Sequence, residues 1–170
     1  MNPITPQELM AITQLGIDTA PLIYFIERHP TYLELMRYLI NRLDEGQIEG
    51  NTSVITLTEV LILPKQRHDS KLEGLYRELL QSSRHFTLLP VTADIAELAA
   101  QLRACYTIKT PDALQVATAI LTNCQAFLTN DKRLKVVKEL PMLVLDELIA
   151  IPEIMEWVKS ELESQGETTD

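Results

Sequence analysis

Cysteines and long apolar runs are scarce in this sequence, and each absence excludes a class of protein. The chain has 2 cysteines among its 170 residues. Neither Cys105 nor Cys124 belongs to a CxxC pair, so the sequence indicates neither a zinc site nor a disulfide framework. No apolar run approaches the roughly 20 residues that a membrane-spanning helix needs. The N-terminus lacks the charged and then apolar pattern of a secretory signal, so we expect a cytoplasmic protein.

Positive charge is also in short supply. The 15 Lys and Arg residues are outnumbered by 24 Asp and Glu residues, which gives a net charge of −9. This balance argues against non-specific binding to duplex nucleic acid and mildly favours a basic partner. It does not exclude a nuclease, because bound metal ions can reverse the local field of an acidic cleft. GxSxG, HExxH and phosphate-binding glycine-loop motifs are missing as well.

Short strand patterns alternate with helix patterns along the chain. We predict strands at 16–18, 54–57, 86–91, 126–129 and 142–145. Helices are predicted from Thr5, from Thr19, over 32–44, over 58–61 until Pro64 ends it, over 69–81, after Thr92, from Thr110, after Asn130 and from Pro152. This alternation predicts parallel βαβ units, and therefore an α/β fold: a three-layer α/β/α sandwich with a central, mainly parallel sheet of about five strands.

The length favours a single domain. We expect it to cover residues 1–163, with a core at about 16–146 and helical additions at both ends. The polar residues 164–170 are predicted to form a flexible tail.

The segment 110–119 has the strongest local pattern in the chain. Thr110 is a good N-cap, Pro111 suits the first helical position, and Asp112 follows at the second. The rest of the segment is almost wholly apolar, which is typical of a buried helix. This helix would carry the Asp112 carboxylate into the body of the protein at its positive end.

Four acidic residues occupy comparable positions. Asp18, Glu59 and Asp131 each follow a predicted strand, and Asp112 starts a helix of its own. Each could simply complement a helix dipole or belong to a turn. Ligands of open α/β sheets bind beyond the carboxyl ends of the strands, so the four carboxylates could meet in one crevice there. Mg²⁺ or Mn²⁺ is the usual counterpart of such crowded, uncompensated oxygens.

At this point the chain resembles the PIN-domain family, and within it the VapC-type toxins of bacterial toxin–antitoxin pairs. The matching pieces occur in the family's order and cover most of the chain: Asp18-Thr19, Leu22-Ile23-Tyr24, Thr58-Glu59-Val60-Leu61, Thr110-Pro111-Asp112-Ala113-Leu114, Ala117-Thr118-Ala119 and Leu128-Thr129-Asn130-Asp131. The sequence departs from the family at Ala20, where Asn or Ser is common. Helices before the first strand and after Pro152 also extend beyond the usual fold.

The resemblance implies a Mg²⁺-dependent endoribonuclease, with Mn²⁺ as a possible substitute, that hydrolyses RNA phosphodiester bonds. The implied acidic site comprises Asp18, Glu59, Asp112 and Asp131, and Thr129 supports it through its hydroxyl. We expect Asp18 and Asp112 to be the primary metal ligands. The other two acids would hold a second ion or position water.

The resemblance also implies partners. We expect a homodimer and an antitoxin protein with a basic segment, whose Arg or Lys points at the acids. The amphipathic helices at 32–44 and 69–81 could offer this segment an apolar groove. The basic residues next to the site could hold RNA phosphates or form a solvated helix face: Lys109, Lys132, Arg133, Lys135 and Lys138.

Other readings of the acids remain. A signalling receiver would need a lysine after its fifth strand, and Leu145-Asp146 offers none. A haloacid-type phosphatase would need Asp-x-Asp, where this chain has Asp18-Thr19-Ala20. The remaining alternative is a PIN-fold module that binds RNA or protein without cutting.

Overall fold

The computed structural model describes residues 4–166 of the chain. Within them, five parallel strands form one sheet in the order β3-β2-β1-β4-β5. The strands are β1 (Gln14–Ile17), β2 (Glu49–Ser53), β3 (Phe86–Leu89), β4 (Ala126–Thr129) and β5 (Met142–Val144). The strand order proceeds from β1 to β3 on one side of the sheet and from β4 to β5 on the other, so it reverses between β1 and β4. Open α/β sheets form their ligand-binding crevice at such a point.

Helices follow each strand and cover both faces of the sheet. They are α1 (Pro6–Met10), α2 (Thr19–Ile26), α3 (Leu33–Asp44), α4 (Val54–Arg67), α5 (Ser70–Arg77), α6 (Ala93–Cys105), α7 (Thr110–Leu121), α8 (Leu145–Ile149) and α9 (Pro152–Gly166). A π-helical turn (Glu78–Ser82) follows α5, and a 3₁₀ helix (Lys132–Val136) follows β4. The predicted three-layer α/β/α sandwich with a parallel sheet is confirmed. No helix within residues 4–166 is both long and apolar enough to cross a membrane.

Two apolar clusters, one on each face of the sheet, hold the layers together. Phe127 belongs to the cluster with α6 and α7, whereas its neighbour Leu128 belongs to the cluster with α2, α3, α4 and α9. This division follows from the alternation of side chains along a strand. Gly16 lets α7 approach β1 closely, because a Cβ at this position would lie 2.6 Å from the Cβ of Ala119.

The predicted strand at 54–57 is wrong. The second strand is β2, five residues earlier, and residues 54–57 form the first turn of α4. The β-branched residues Val54, Ile55 and Thr56 suggested a strand. The Ser53 side chain instead accepts a hydrogen bond from the Ile55 N–H (3.3 Å) and caps the helix.

The helix that contains Glu59 is also longer than predicted. Pro64 does not end it: α4 continues to Arg67 and terminates at His68, which adopts a left-handed conformation (φ 54°). Pro64 lies within the last turn, and its ring is buried in the fold. At the other end of the chain, α9 includes residues 164–166 of the predicted tail, and residues 167–170 lie outside the described residues.

Candidate active site

The carboxyl ends of the two central strands bring the first part of the site together. Asp18 follows β1 and is the N-cap of α2, while Asp131 follows β4 and is the N-cap of the 3₁₀ helix. The two strands pair in parallel, with Ile17 opposite Leu128, so their ends lie side by side. Thr129 is the last residue of β4 and is fully buried.

Thr129 links the two aspartates. Its hydroxyl donates a hydrogen bond to Asp18 Oδ2 (2.6 Å) and accepts one from the Asp131 N–H (3.0 Å). The other oxygen of Asp18 accepts the Thr19 N–H (2.7 Å). Burial raises the pKa of Asp18 to about 6, against these two hydrogen bonds, and the charges of Asp112 and Glu59 raise it further. Thr129, whose hydroxyl was expected to support the site, therefore contacts Asp18 directly.

Glu59 reaches the site by a different route from the one predicted. It is not the residue after a strand but the sixth residue of α4. Its Oε2 accepts hydrogen bonds from the Thr19 hydroxyl and from Gln115 Nε2 (3.1 Å). Its carboxylate is consequently fixed by α2 and α7, the helices that carry Asp18 and Asp112.

A buried polar network lies beneath these acids, and the sequence analysis missed it. Gln115 is 3% exposed and also donates to the Thr19 hydroxyl (3.2 Å). The hydroxyls of Thr19 and Thr56 are 3.1 Å apart, and Thr56 continues to Thr52 at 2.9 Å. The signal was available at Gln115, because an amide within an otherwise apolar helix must find partners when it is buried.

Asp112 lies in the first turn of α7, one position later than predicted. The N-cap is Lys109, and Thr110 is the first helical residue. The Thr110 hydroxyl accepts a hydrogen bond from Arg103 (2.8 Å) instead of capping the helix. Burial raises the pKa of Asp112, and the charges of Asp131 and Glu59 raise it further.

Asp131 is the one acid of the four that forms a salt bridge, and its partner is Arg133. Arg133 Nε lies 2.9 Å from Oδ1 and 3.0 Å from Oδ2, and Arg133 Nη2 also bonds Oδ2. These hydrogen bonds lower the pKa of Asp131. Both residues line a small cleft of about 30 Å³ together with Lys109 and Asp112.

The structure therefore brings the four predicted acids into one neighbourhood. The charges of Asp112 and Glu59 raise the pKa of Asp18, and those of Asp131 and Glu59 raise the pKa of Asp112. As the side chains stand, no group of three or more His, Cys, Asp or Glu residues within 4–166 is arranged to hold a metal ion. The cluster supplies carboxylate oxygens, and Arg133 binds those of Asp131.

Three of the lysines that could hold RNA phosphates have other partners. Lys135 Nζ lies 2.8 Å from both carboxylate oxygens of Glu147, and Lys138 Nζ donates to the Lys135 carbonyl (3.0 Å). Lys132 lies 3.5 Å from Asp146 and is largely exposed. Lys109 and Arg133 are thus the basic residues nearest to the acids.

Comparisons with known proteins identify the family and the fold. The PIN domain family model matches residues 16–140. A toxin–antitoxin complex from Klebsiella pneumoniae is similar at 25% identity and a TM-score of 0.58, over 78% of this chain and 98% of that one.

Two further solved structures have lower identity and show the fold alone. They are VapBC2 from Rickettsia felis bound to a promoter DNA fragment (19%, TM-score 0.61, 78% and 98% coverage) and DNA-bound VapBC from Salmonella typhimurium (14%, TM-score 0.57, 79% and 98%). No curated protein matches the chain. The resemblance drawn from the sequence is confirmed, and the chain belongs to the PIN-domain family.

Proposed function

We propose that this protein is a metal-dependent endoribonuclease and the toxin of a toxin–antitoxin pair. The observation that carries the proposal is the meeting of Asp18, Glu59, Asp112 and Asp131 at the carboxyl ends of β1 and β4. Its similarity to a toxin–antitoxin complex at 25% identity supports the biological role.

The donor set fits a hard divalent cation. All four side chains offer carboxylate oxygens, which Mg²⁺ and Mn²⁺ prefer. Burial raises the pKa values of Asp18 and Asp112, and neighbouring carboxylates raise them further, so a cation bound here would stabilise the ionised forms of both side chains. When bound, such a cation lowers the pKa of a water molecule and stabilises the charge that develops on a phosphodiester.

The residues of the chain divide the remaining work. We assign Asp18 and Asp112 as primary ligands, and Glu59 and Asp131 as ligands of a second ion or as groups that position water. Neutral donors orient the inner acids, since Thr129 holds Asp18 and Gln115 holds Glu59. Ligation by Asp131 requires Arg133 to leave its carboxylate, and the released guanidinium can then bind a phosphate oxygen.

A cleavage assay tests the enzymatic part. Labelled RNA is incubated with the purified protein in Mn²⁺, in Mg²⁺ and in EDTA. We expect cleavage only with metal, and Asp112→Asn should lower it by orders of magnitude. Asp44→Asn is the matched control, because Asp44 is an exposed residue at the end of α3. It should cut like the unmodified protein, and equal cleavage by both variants would indicate a contaminating nuclease.

The Arg133–Asp131 contact gives the second candidate some weight. If Arg133 keeps both oxygens of Asp131 occupied, the same fold would bind RNA or protein without cutting. RNA binding without cleavage in either metal would favour this module over the nuclease.

The two helices predicted to bind the antitoxin differ in how much apolar surface they expose. In α3, the predicted helix at 32–44, Tyr38 accepts a hydrogen bond from Trp157 of α9, and most of the apolar residues of α3 are buried. The predicted helix at 69–81 contains α5, where Leu75 is exposed, and Ile62 and Leu63 are exposed on the neighbouring helix α4. We propose that the antitoxin packs on this surface and directs an Arg or Lys at the acids.

Co-expression with the small protein encoded next to this chain tests the pairing. We expect the two to co-purify at low and at high salt, with weaker binding at high salt because only the charged contacts are screened. Absence of a complex at both salts, combined with normal growth when this chain is expressed alone, would argue against the toxin role.

A further inference from the structure

Three aromatic rings form a compact group at one corner of the molecule. The Tyr24 and Tyr32 rings are stacked with centroids 4.5 Å apart and an interplanar angle of 18°. The His29 ring packs against both, at 5.0 Å from Tyr24 and 4.8 Å from Tyr32. We call these three residues the aromatic triad. The chain has only 5 tyrosines and 3 histidines, so this corner concentrates a scarce residue class.

The triad is tied to the acidic site through Asn130. The Tyr32 hydroxyl accepts a hydrogen bond from Asn130 Nδ2 (3.1 Å) and donates one to Asp146 (2.6 Å). Asn130 Oδ1 accepts the Asp146 N–H (3.0 Å), so the amide is held from both sides. Asn130 lies between Thr129 and Asp131 in the chain, and the rings therefore lie beside the acids at the same edge of the sheet.

The turn that places His29 is well defined. Arg28 adopts a left-handed conformation (φ 56°), and the His29 N–H donates to the Tyr24 carbonyl (2.8 Å). The chain thus folds back and brings the imidazole onto the tyrosine rings. Arg28 itself is exposed on this turn, and all three rings keep part of their surface accessible.

Core packing explains only one side of the triad. Tyr24 and Tyr32 contact the main apolar cluster with their inner surfaces. The Tyr32 hydroxyl donates to one oxygen of Asp146, and Lys132 lies 3.5 Å from the other oxygen of this carboxylate. Arg28 directly precedes His29 and is exposed, so two cations adjoin the triad. Aromatic rings flanked by positive charge are the usual platform for unpaired nucleotides, because bases stack on the rings while cations hold the backbone.

We propose that the aromatic triad binds a nucleobase of single-stranded RNA whose backbone crosses the acidic cluster. The base stacks against the accessible surface of His29 and the tyrosines, and Arg28 and Lys132 face the flanking phosphates. This proposal rests on the proposed ribonuclease function and adds a base-binding subsite, which holds one base by stacking next to the cleavage point.

A double-mutant cycle with RNA tests the platform. The Asp112→Asn protein in EDTA prevents cleavage, and the probes are a fluorescent RNA octamer and the same octamer with one abasic position, scanned along the strand. We expect one abasic position to weaken binding by about 5- to 100-fold, the range of base–aromatic stacking. His29→Ala and Tyr24→Leu should weaken binding of the intact octamer. In these variants the intact octamer and the octamer with that abasic position should bind with nearly equal affinity.

The matched control is His85→Ala. His85 is also partly exposed, but it directly precedes β3, at the amino ends of the strands, where it pairs with Glu49 at 2.8 Å. This variant should bind both octamers like the parent protein. Melting temperatures of all variants verify folding. The comparison of abasic with intact RNA is made on protein with an unchanged triad, so a folding defect of a variant cannot affect it.

The outcomes separate this proposal from the proposed function. Equal binding of intact and abasic octamers at every position, or no RNA binding at all, would overturn the platform. So would variants that weaken both octamers equally. Metal-dependent cleavage by the unmodified chain is measured separately and would still support the nuclease. Base-dependent binding without cleavage would support the platform and contradict the nuclease.

Discussion

Replacing Asp18 with Asn should stabilise the metal-free protein at neutral and alkaline pH. The carboxylate is buried, and its pKa rises from 3.8 to about 6 in the folded state. A raised pKa means that the folded protein holds this proton more tightly than the unfolded chain does. Stability therefore falls as the pH rises from about 4 to about 6, and the loss is complete above that range.

The shift gives the magnitude. At about 1.4 kcal/mol per pKa unit, ionised Asp18 costs the folded state about 3 kcal/mol. The Asn oxygen can still accept the Thr19 N–H, but its NH₂ group cannot accept the hydrogen bond from the Thr129 hydroxyl. Loss of this hydrogen bond lowers the expected stabilisation by about 1 kcal/mol. We expect a net increase of about 1–3 kcal/mol at pH 8, or roughly 2–12 °C in melting temperature.

Urea denaturation in EDTA at pH 8, 6, 5 and 4 is the assay. The stability difference between the two proteins should shrink steadily toward acid pH, because unmodified Asp18 then gains its proton on folding. Asp44→Asn, an exposed aspartate, is the control and should show no comparable trend. A difference that is constant with pH, or a variant less stable at pH 8 than the unmodified protein, would refute the argument that Asp18 is an uncompensated buried charge.

The other predictions concern metal, packing and the two outer acids. Millimolar Mn²⁺ or Mg²⁺ should raise the melting temperature, since a ligand bound only by the folded state stabilises it, and an unchanged melt would argue against the site. Asp112→Asn should abolish this increase while leaving metal-free stability equal or higher, because it removes a partly buried charge and relieves like-charge repulsion. Arg133→Gln should tighten Mn²⁺ binding in calorimetry by freeing Asp131, and unchanged affinity would show that Arg133 does not compete. Gly16→Ala should destabilise the fold by about 1–3 kcal/mol in urea, because the added Cβ would lie 2.6 Å from Ala119 and 2.8 Å from the Phe127 ring.

Strand β4 was predictable because its local and tertiary signals agree. Residues 126–129 are apolar up to Thr129, all four are buried, and the turn-forming pair Asn130-Asp131 ends the strand. A short apolar run bounded by a turn is typical of a central parallel strand. Pro90, within the strand predicted at 86–91, is typical of a strand end or a sheet edge, and β3 is an edge strand that ends at Leu89.

Strand β2 could not be predicted from local preference. Its sequence, EGNTS, consists of residues that are mostly poor strand formers. The pairing with β1 and β3 imposes the extended conformation. Glycine at position 50 is required by packing, because a Cβ there would lie 2.6 Å from the Phe86 ring and 2.9 Å from Leu43.

Because β2 was predicted at the wrong residues, Glu59 was expected just after a strand, whereas it lies within α4. Its side chain nevertheless reaches the predicted site. Glu59 was selected because it follows the strand wrongly predicted at 54–57, and the family resemblance pointed to the same residue. As the sixth residue of α4, it does not follow a strand end. The structure supplies the reason: Glu59 reaches across to α2 and α7, where the Thr19 hydroxyl and the Gln115 amide bind it. Contacts of this kind join residues 40 and 56 positions apart, which local pattern cannot reveal.

The four acids divide into two halves that are held in different ways. Neutral groups orient Asp18 and Glu59 without cancelling their charge, so these carboxylates are preorganised and remain attractive to a cation. The outer carboxylate of Asp131 is instead neutralised by Arg133, whose side chain is 71% exposed and can leave at little structural expense. Asp112 lies between the halves and senses the charges of Glu59 and Asp131. We therefore expect the inner acids to take up positive charge first, with Arg133 exchanging Asp131 for a substrate phosphate only when the cleft fills.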